Sequence, residues 1–228
     1  MSPYSRGRLK RIRSAAVALT LLASLGLAGC APTPSGLLNR LPDRSKKACV
    51  SNLHPTSSPD PGLAKAEAGA MPEDQFWALI SVLHGANSDA AYKRLSNRLA
   101  ALPTATIVAF DVRLTISLYK LDDQCRAHWY ATHDPSGLGI VGDDDFLYFR
   151  ADTVSAGRAT WEKAIATDTL PWGTTDAVNN DGEDLLYVAT DAAAKHHISQ
   201  DKLLDMEAKV TDLSYETASN PAGWPPAK

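Results

Sequence analysis

Few side chains in this sequence stand at spacings that support chemistry, and the densest group is acidic. Asp143-Asp144-Asp145 follows a turn-rich stretch that holds His128, His133 and Asp134. Carboxylates and imidazoles converging in a pocket could bind a divalent cation or activate water, so a hydrolase with an Asp/His cluster is one reading. The other is mechanical, because acids opening a helix cap its free N–H groups and meet the positive end of its dipole. His128 and His133 lie five residues apart, a poor spacing for one helical face. No H-E-x-x-H, G-x-S-x-G, Walker loop or C-x-x-C is present, so no catalytic residue, metal site or cofactor is expected.

Two further motifs fail on their own terms. Gly137-Leu138-Gly139-Ile140-Val141-Gly142 has dinucleotide-fingerprint spacing, but no apolar strand precedes it and the aspartates that follow would repel a phosphate. Asn179-Asn180-Asp181-Gly182-Glu183 has the composition of a calcium loop, yet aligning Gly182 with the loop's turn glycine puts Ala177 and Val188 where carboxylates are required. Arg150 and Arg158 are more informative. Arg150 falls four residues after Phe146, so its stem shares that helical face while its head could meet Asp122, Asp123 or Asp145. Asp144, Asp145, Phe146, Arg150 and Arg158 therefore form the candidate binding surface, able to orient an anionic ligand. A structural ion pair is the alternative role for Arg150.

The cysteines carry a different message. Five cations, with no acid anywhere in residues 1–29, precede an apolar run of 14 residues, Ala15 to Ala28, too short for a permanent membrane span and suited to a signal peptide. The run closes on Leu27-Ala28-Gly29-Cys30, which resembles the bacterial lipobox. That resemblance implies acylation of the Cys30 thiol, cleavage before it, and anchorage in membrane lipid on the extracytoplasmic side. Cys49 and Cys125 then remain as a pair in an oxidising compartment. A disulfide between them would close a loop of about 75 residues, worth about 4.5 kcal/mol in the chain-entropy model. The alternative is two separate thiols.

A formal charge of −3 over 228 residues conceals segregation. Residues 72–216 hold 12 Lys and Arg against 23 Asp and Glu, a net −11. Such a domain repels nucleic acid and anionic lipid, and its partners are expected to be cationic or neutral envelope proteins or peptides. Of 14 prolines, six fall in residues 31–71 and three in 217–228. Residues 30–71 thus read as a lipid-anchored Pro/Ser-rich tether and 217–228 as a flexible Pro-containing tail. As a flexible coil, the tether would reach about 35 Å.

The positioning elements lie between these segments. Pro72 with Glu73 and Asp74 opens a helix carrying Phe76, Trp77, Ile80 and Leu83 on one face. Ser88 caps a second, with Tyr92, Leu95, Leu99 and Leu102 at helical spacing, and a third runs Ile107, Phe110, Leu114, Leu118, Leu121. Further helices are expected over 143–155, around Trp161 and Ile165, after the Asn180/Glu183 capping pattern, and through Leu203, Met206, Val210 and Leu213. The expected fold is all-α, a single compact domain of about six to eight helices spanning 72–216.

Four blocks in order resemble the bacterial domain of unknown function 4240 family. They are Phe76-Trp77-Ala78-Leu79-Ile80; Leu102-Pro103 with Ile107-Val108-Ala109-Phe110; Phe146-Leu147-Tyr148-Phe149-Arg150 with Gly157; and Leu185-Leu186-Tyr187-Val188-Ala189. The chain departs from the family pattern at Leu121-Asp122-Asp123-Gln124-Cys125 and at Gly142-Asp143-Asp144-Asp145. No activity is established for that family, so the resemblance implies a fold and transfers no catalytic residue. The leading expectation is a surface-tethered acidic binding or interaction module without catalysis. A lipid-anchored hydrolase built on the Asp/His cluster is the alternative, and an architectural envelope protein the third reading.

Overall fold

Helix α1 (Pro61–Gly69) opens where Asp60 accepts the N–H groups of Gly62 and Leu63 at 2.8 and 3.3 Å, with proline at the first helical position. The computed structural model describes residues 60–133, 142–167, 169–170 and 181–224. Among them are eight more α-helices: α2 (Glu73–Ile80), α3 (Asp89–Ala100), α4 (Thr104–Tyr119), α5 (Gln124–His133), α6 (Asp143–Ser155), α7 (Arg158–Thr167), α8 (Val188–Ala194) and α9 (Gln200–Ala208). Short 3-10 segments cover Ser81–Leu83 and Asp181–Tyr187, and the described residues contain no strand. The domain is all-α, as its apolar periodicity predicts.

Helix α4 is the hub. Twelve of its 16 residues are buried, so it has almost no solvent face, and α1, α2, α3, α6, α8 and α9 all pack on it. The stripe Ile107, Phe110, Leu114, Leu118 is only part of its contact surface, because Asp111, Arg113, Thr115 and Ser117 are buried too. Most of these polar groups have identifiable partners, as burial demands. Arg113 donates from Nε to the Met71 carbonyl at 2.7 Å and pairs with Glu67; Thr115 donates to Glu207 Oε1 at 3.2 Å. Ser117 donates to the Arg113 carbonyl at 2.9 Å, and its own carbonyl accepts the Trp161 indole N–H at 3.0 Å. Phe76 meets Phe110 at 5.2 Å between ring centroids, and Trp77 meets Trp161 at 5.5 Å, joining α2, α4 and α7.

Both proposed domain boundaries move outward. The expected tether, residues 30–71, ends in structure: Ala66 and Met71 are in the core, and Lys120 and Arg113 clasp Glu67 of α1. Helix α1 buries Ala66 alone, too little for a periodic signal. The expected flexible tail from 217 is, up to Trp224, a strap laid over the end of α4. Asn220 Nδ2 donates to the Tyr119 carbonyl at 3.3 Å, and the Gln124 N–H donates to the Gly223 carbonyl at 3.0 Å. Tyr119 thus meets both the strap and the start of α1, because its hydroxyl donates to Asp60.

Candidate functional site

The densest polar construction lies where α4 ends. Tyr119 is followed by Lys120 and Leu121, and then by Asp122 and Asp123, both essentially buried. Asp122 Oδ1 accepts the Ala218 N–H at 3.1 Å and the Trp224 indole N–H at 2.9 Å. Its Oδ2 accepts the Asn220 N–H at 3.0 Å and the Ser219 hydroxyl at 3.3 Å. On the other side stands Arg150 of α6, with Nη1 at 3.7 Å from Asp122 Oδ1.

Arg150 is fully buried. Its Nη1 donates to the Leu118 carbonyl at 3.1 Å, and its Nη2 donates to the Tyr215 carbonyl at 3.0 Å and to the Thr217 hydroxyl at 3.2 Å. The guanidinium carbon sits 4.8 Å from the Phe146 ring centroid, the cation–π contact that the i,i+4 spacing allows. Its Nε has no hydrogen-bond partner among the described residues. Burial depresses the Arg150 pKa, and Asp122, Glu216 and Asp123 act against that depression. One arginine therefore ties α4, α6 and the strap together.

A second pair stands beside it. Asp123 caps α5, accepting the N–H groups of Cys125 and Arg126 at 2.9 and 3.0 Å, and its other oxygen pairs with the Arg126 guanidinium. Arg126 then crosses to α7, donating to the Ala164 carbonyl at 2.8 Å and to the Ile165 carbonyl at 3.1 Å. A cation among the last carbonyls of a helix satisfies groups that have no intrahelical donor. Burial raises the Asp123 pKa, and the Arg126 charge opposes the rise.

The candidate binding surface read from sequence is not one surface. Phe146 and Arg150 are wholly interior, because the stem and the head of Arg150 both have internal partners. Asp144 is exposed, while Asp145 folds back to accept the Gly142 N–H at 3.0 Å, a helix-opening role. Asp143 is half-buried, its carbonyl accepts the Thr217 hydroxyl at 2.7 Å, and burial followed by its acidic neighbours raises its pKa. Arg158 stands in solvent on α7, paired with Glu162 and Asp74 at 2.7 Å each.

The histidines are similarly dispersed. His133 hydrogen-bonds through Nδ1 with the Trp129 carbonyl at 2.8 Å and stacks on that indole at 4.4 Å. His196 Nε2 lies 2.8 Å from the Ala100 carbonyl. Among the described residues no group of three or more His, Cys, Asp or Glu is placed to hold a metal ion. No helix of these residues is long and apolar enough to cross a membrane. Cys125 is half-buried in the first turn of α5. Leu27, Ala28, Gly29, Cys30 and Cys49 lie outside the described residues, as does the 137–141 part of the glycine motif.

Sequence reasoning named Asp122 and Asp123 only as possible partners of Arg150. It missed Asp122 as the anchor of the strap, and it missed α5 altogether. The available signal was local: two aspartates after an apolar helix, and a tryptophan following Asn220-Pro221-Ala222-Gly223 in a stretch with no other large apolar residue.

An all-helical domain with internal arginine–aspartate ties is the class that fold and site define. Residues 71–195 match the family described as a protein of unknown function, DUF4240, and the chain belongs to that family. Comparison with curated proteins and with solved structures returned no match. Helix α1, helix α9 and the strap lie outside the matched residues.

Proposed function

We propose that this chain is a bacterial lipoprotein, acylated at Cys30, that displays its acidic helical domain outside the cytoplasmic membrane as a non-catalytic binding module. The observation that carries the anchoring is the placement of Leu27-Ala28-Gly29-Cys30 at the end of the apolar run that follows five cations. The binding role is supported by where the polar chemistry goes. Arg150, Asp122, Arg126 and Asp123 hold helices together, and the acids of 143–145 open α6. With a net −11 across 72–216, the module suits cationic or neutral envelope proteins and peptides and does not suit nucleic acid.

Mass analysis of the mature N-terminal peptide tests the anchoring. A diacylglyceryl-modified Cys30 as first residue is the expected result, with Cys30→Ser giving unprocessed or released protein. An unmodified Cys30 inside an intact chain defeats it. The non-catalytic role is tested separately by assaying purified protein against ester, phosphoester and peptide substrates. Turnover abolished by substituting His128, His133 or Asp144 would replace binding with catalysis.

A further inference from the structure

We propose that the exposed face shared by α3 and the C-terminal end of α8 is a docking surface for anionic lipid headgroups. It deepens the anchored reading above and rests on it, since anchorage puts the domain beside a bilayer. Helix α3 buries Ala91, Tyr92, Leu95, Ser96 and Leu99 and turns Lys93, Arg94, Asn97 and Arg98 to solvent. The Tyr92 hydroxyl lies 3.0 Å from Ser155 Oγ, which fixes the inner face and hence the outer one. Helix α8 packs on α3 and brings its C-terminal end alongside: the Lys195 ammonium donates to Asn97 Oδ1, and His196 reaches the Ala100 carbonyl. Four exposed cations are thus gathered on one face of a strongly acidic domain.

Pairing among the described residues does not account for them. The ion pairs among the described residues engage Lys65, Arg113, Lys120, Arg126, Arg150 and Arg158. Lys93, Arg94, Arg98 and Lys195 take part in none of these. Helix dipoles favour Arg98 and Lys195 near their C-termini, but Lys93 and Arg94 sit in the first half of α3, where the dipole favours no cation. The acids of these two helices, Asp89 and Asp191, stand one turn before Lys93 and Lys195 on the exposed faces, so the patch keeps a net charge of about +2.

Charge complementarity selects the occupant. Charge repulsion between the domain and an anionic bilayer is screened beyond about 8 Å at physiological salt, so cations touching headgroups outweigh acids lying farther than that from the bilayer. The chain can present this face. Cys30 and Asp60 are 30 positions apart, a fully extended length of about 100 Å, against a domain roughly 40 Å across.

The test uses the full chain, reconstituted into vesicles of phosphatidylcholine alone or with a third of phosphatidylglycerol, and reads amide hydrogen exchange. Amides of α3 and of 194–198 should exchange about tenfold more slowly on the anionic vesicles only, with protection lost in 0.5 M salt. A chain carrying K93E, R94E, R98E and K195E should fold unchanged and show no such protection. Equal exchange on both vesicles overturns the docking surface even when the chain is acylated. Protection by polyglutamate but not by phosphatidylglycerol overturns the lipid assignment. If mass analysis finds Cys30 unmodified, anchoring alone fails. The same chain sedimented with each vesicle type then decides the docking, and equal binding overturns it.

Discussion

The indole Nε1 of Trp224 donates to Asp122 Oδ1 at 2.9 Å across 102 residues of chain. That bond, with the Ala218, Ser219 and Asn220 donors on the same carboxylate, makes Asp122 the point where the strap is fastened and where Arg150 finds its counter-charge.

Removing that carboxylate strips four donors of their acceptor and takes the nearest counter-charge from a buried guanidinium. Asp122→Ala should cost about 3–5 kcal/mol, a fall in Tm of about 10 °C. A double-mutant cycle separates the pair from its surroundings. Asp122→Asn with Arg150→Met should be less destabilised than the two single variants predict, by about 1–3 kcal/mol. Simple additivity in denaturant unfolding would show that the two groups do not interact.

Steric closeness makes the strap testable by a single methyl group. A Cβ at Gly223 would lie 2.3 Å from the Asp122 carbonyl oxygen and 2.7 Å from Asp123 Cβ, neither of which is a flexible side-chain end. Gly223→Ala should therefore loosen the strap, with faster exchange of the Ala218, Asn220 and Trp224 amides. The α2–α4 core amides should stay protected. Unchanged exchange across 218–224 would mean that the close approach is not constraining.

Arginines paired inside and outside the domain should behave oppositely. Arg126→Ala leaves Asp123 buried without its partner and frees the α7 carbonyls, so it should destabilise by about 3–5 kcal/mol. Arg158, in solvent, pairs with Glu162 and Asp74 at similar distances, yet Arg158→Ala should leave the melting midpoint unchanged within error, because water screens both charges. Equal effects in thermal melts would count against the role assigned to Arg126.

The acid limb of stability should report on α1. Its hydrogen bond from Tyr119 holds the Asp60 carboxyl below its ordinary value. Burial would raise Glu67, but Lys120 and Arg113 outweigh it and its pKa is lowered. Carboxyls with depressed folded-state values contribute stability that is present above about pH 4 and lost as pH falls through those values. Asp123, raised by burial, acts in the reverse sense. Glu67→Gln should make the loss of stability between about pH 5 and 2 shallower in urea unfolding. A steeper acid limb in that variant would reverse the assignment.

What the sequence made legible was the set of amphipathic helices. Phe76, Trp77 and Ile80, or Tyr92, Leu95 and Leu99, recur at the period of a helix with one buried face, and they are buried together. Periodicity could not reveal α5, whose buried face is Arg126, Ala127 and Tyr130, because an arginine that is interior only through its partners reads as polar. It understated α4, whose polar residues are buried by six neighbouring helices. The candidate site was half-legible: the spacing put Phe146 and the Arg150 stem on one helical face, but burial makes that face an internal tie, with the guanidinium over the Phe146 ring. The strap left no periodic pattern: its only traces were the paired aspartates and a lone tryptophan, and nothing local says that they meet across a hundred residues.

Tyr119 accepts the strap at its carbonyl and reaches the start of α1 with its hydroxyl, so Asp60 and Asn220 are joined through one side chain's length. Mechanically the domain is a loop pinched shut at its neck. Tension applied between residues 60 and 224 would load that neck before the helical core felt it. A permutant joining 224 to 60 would need only a short bridge.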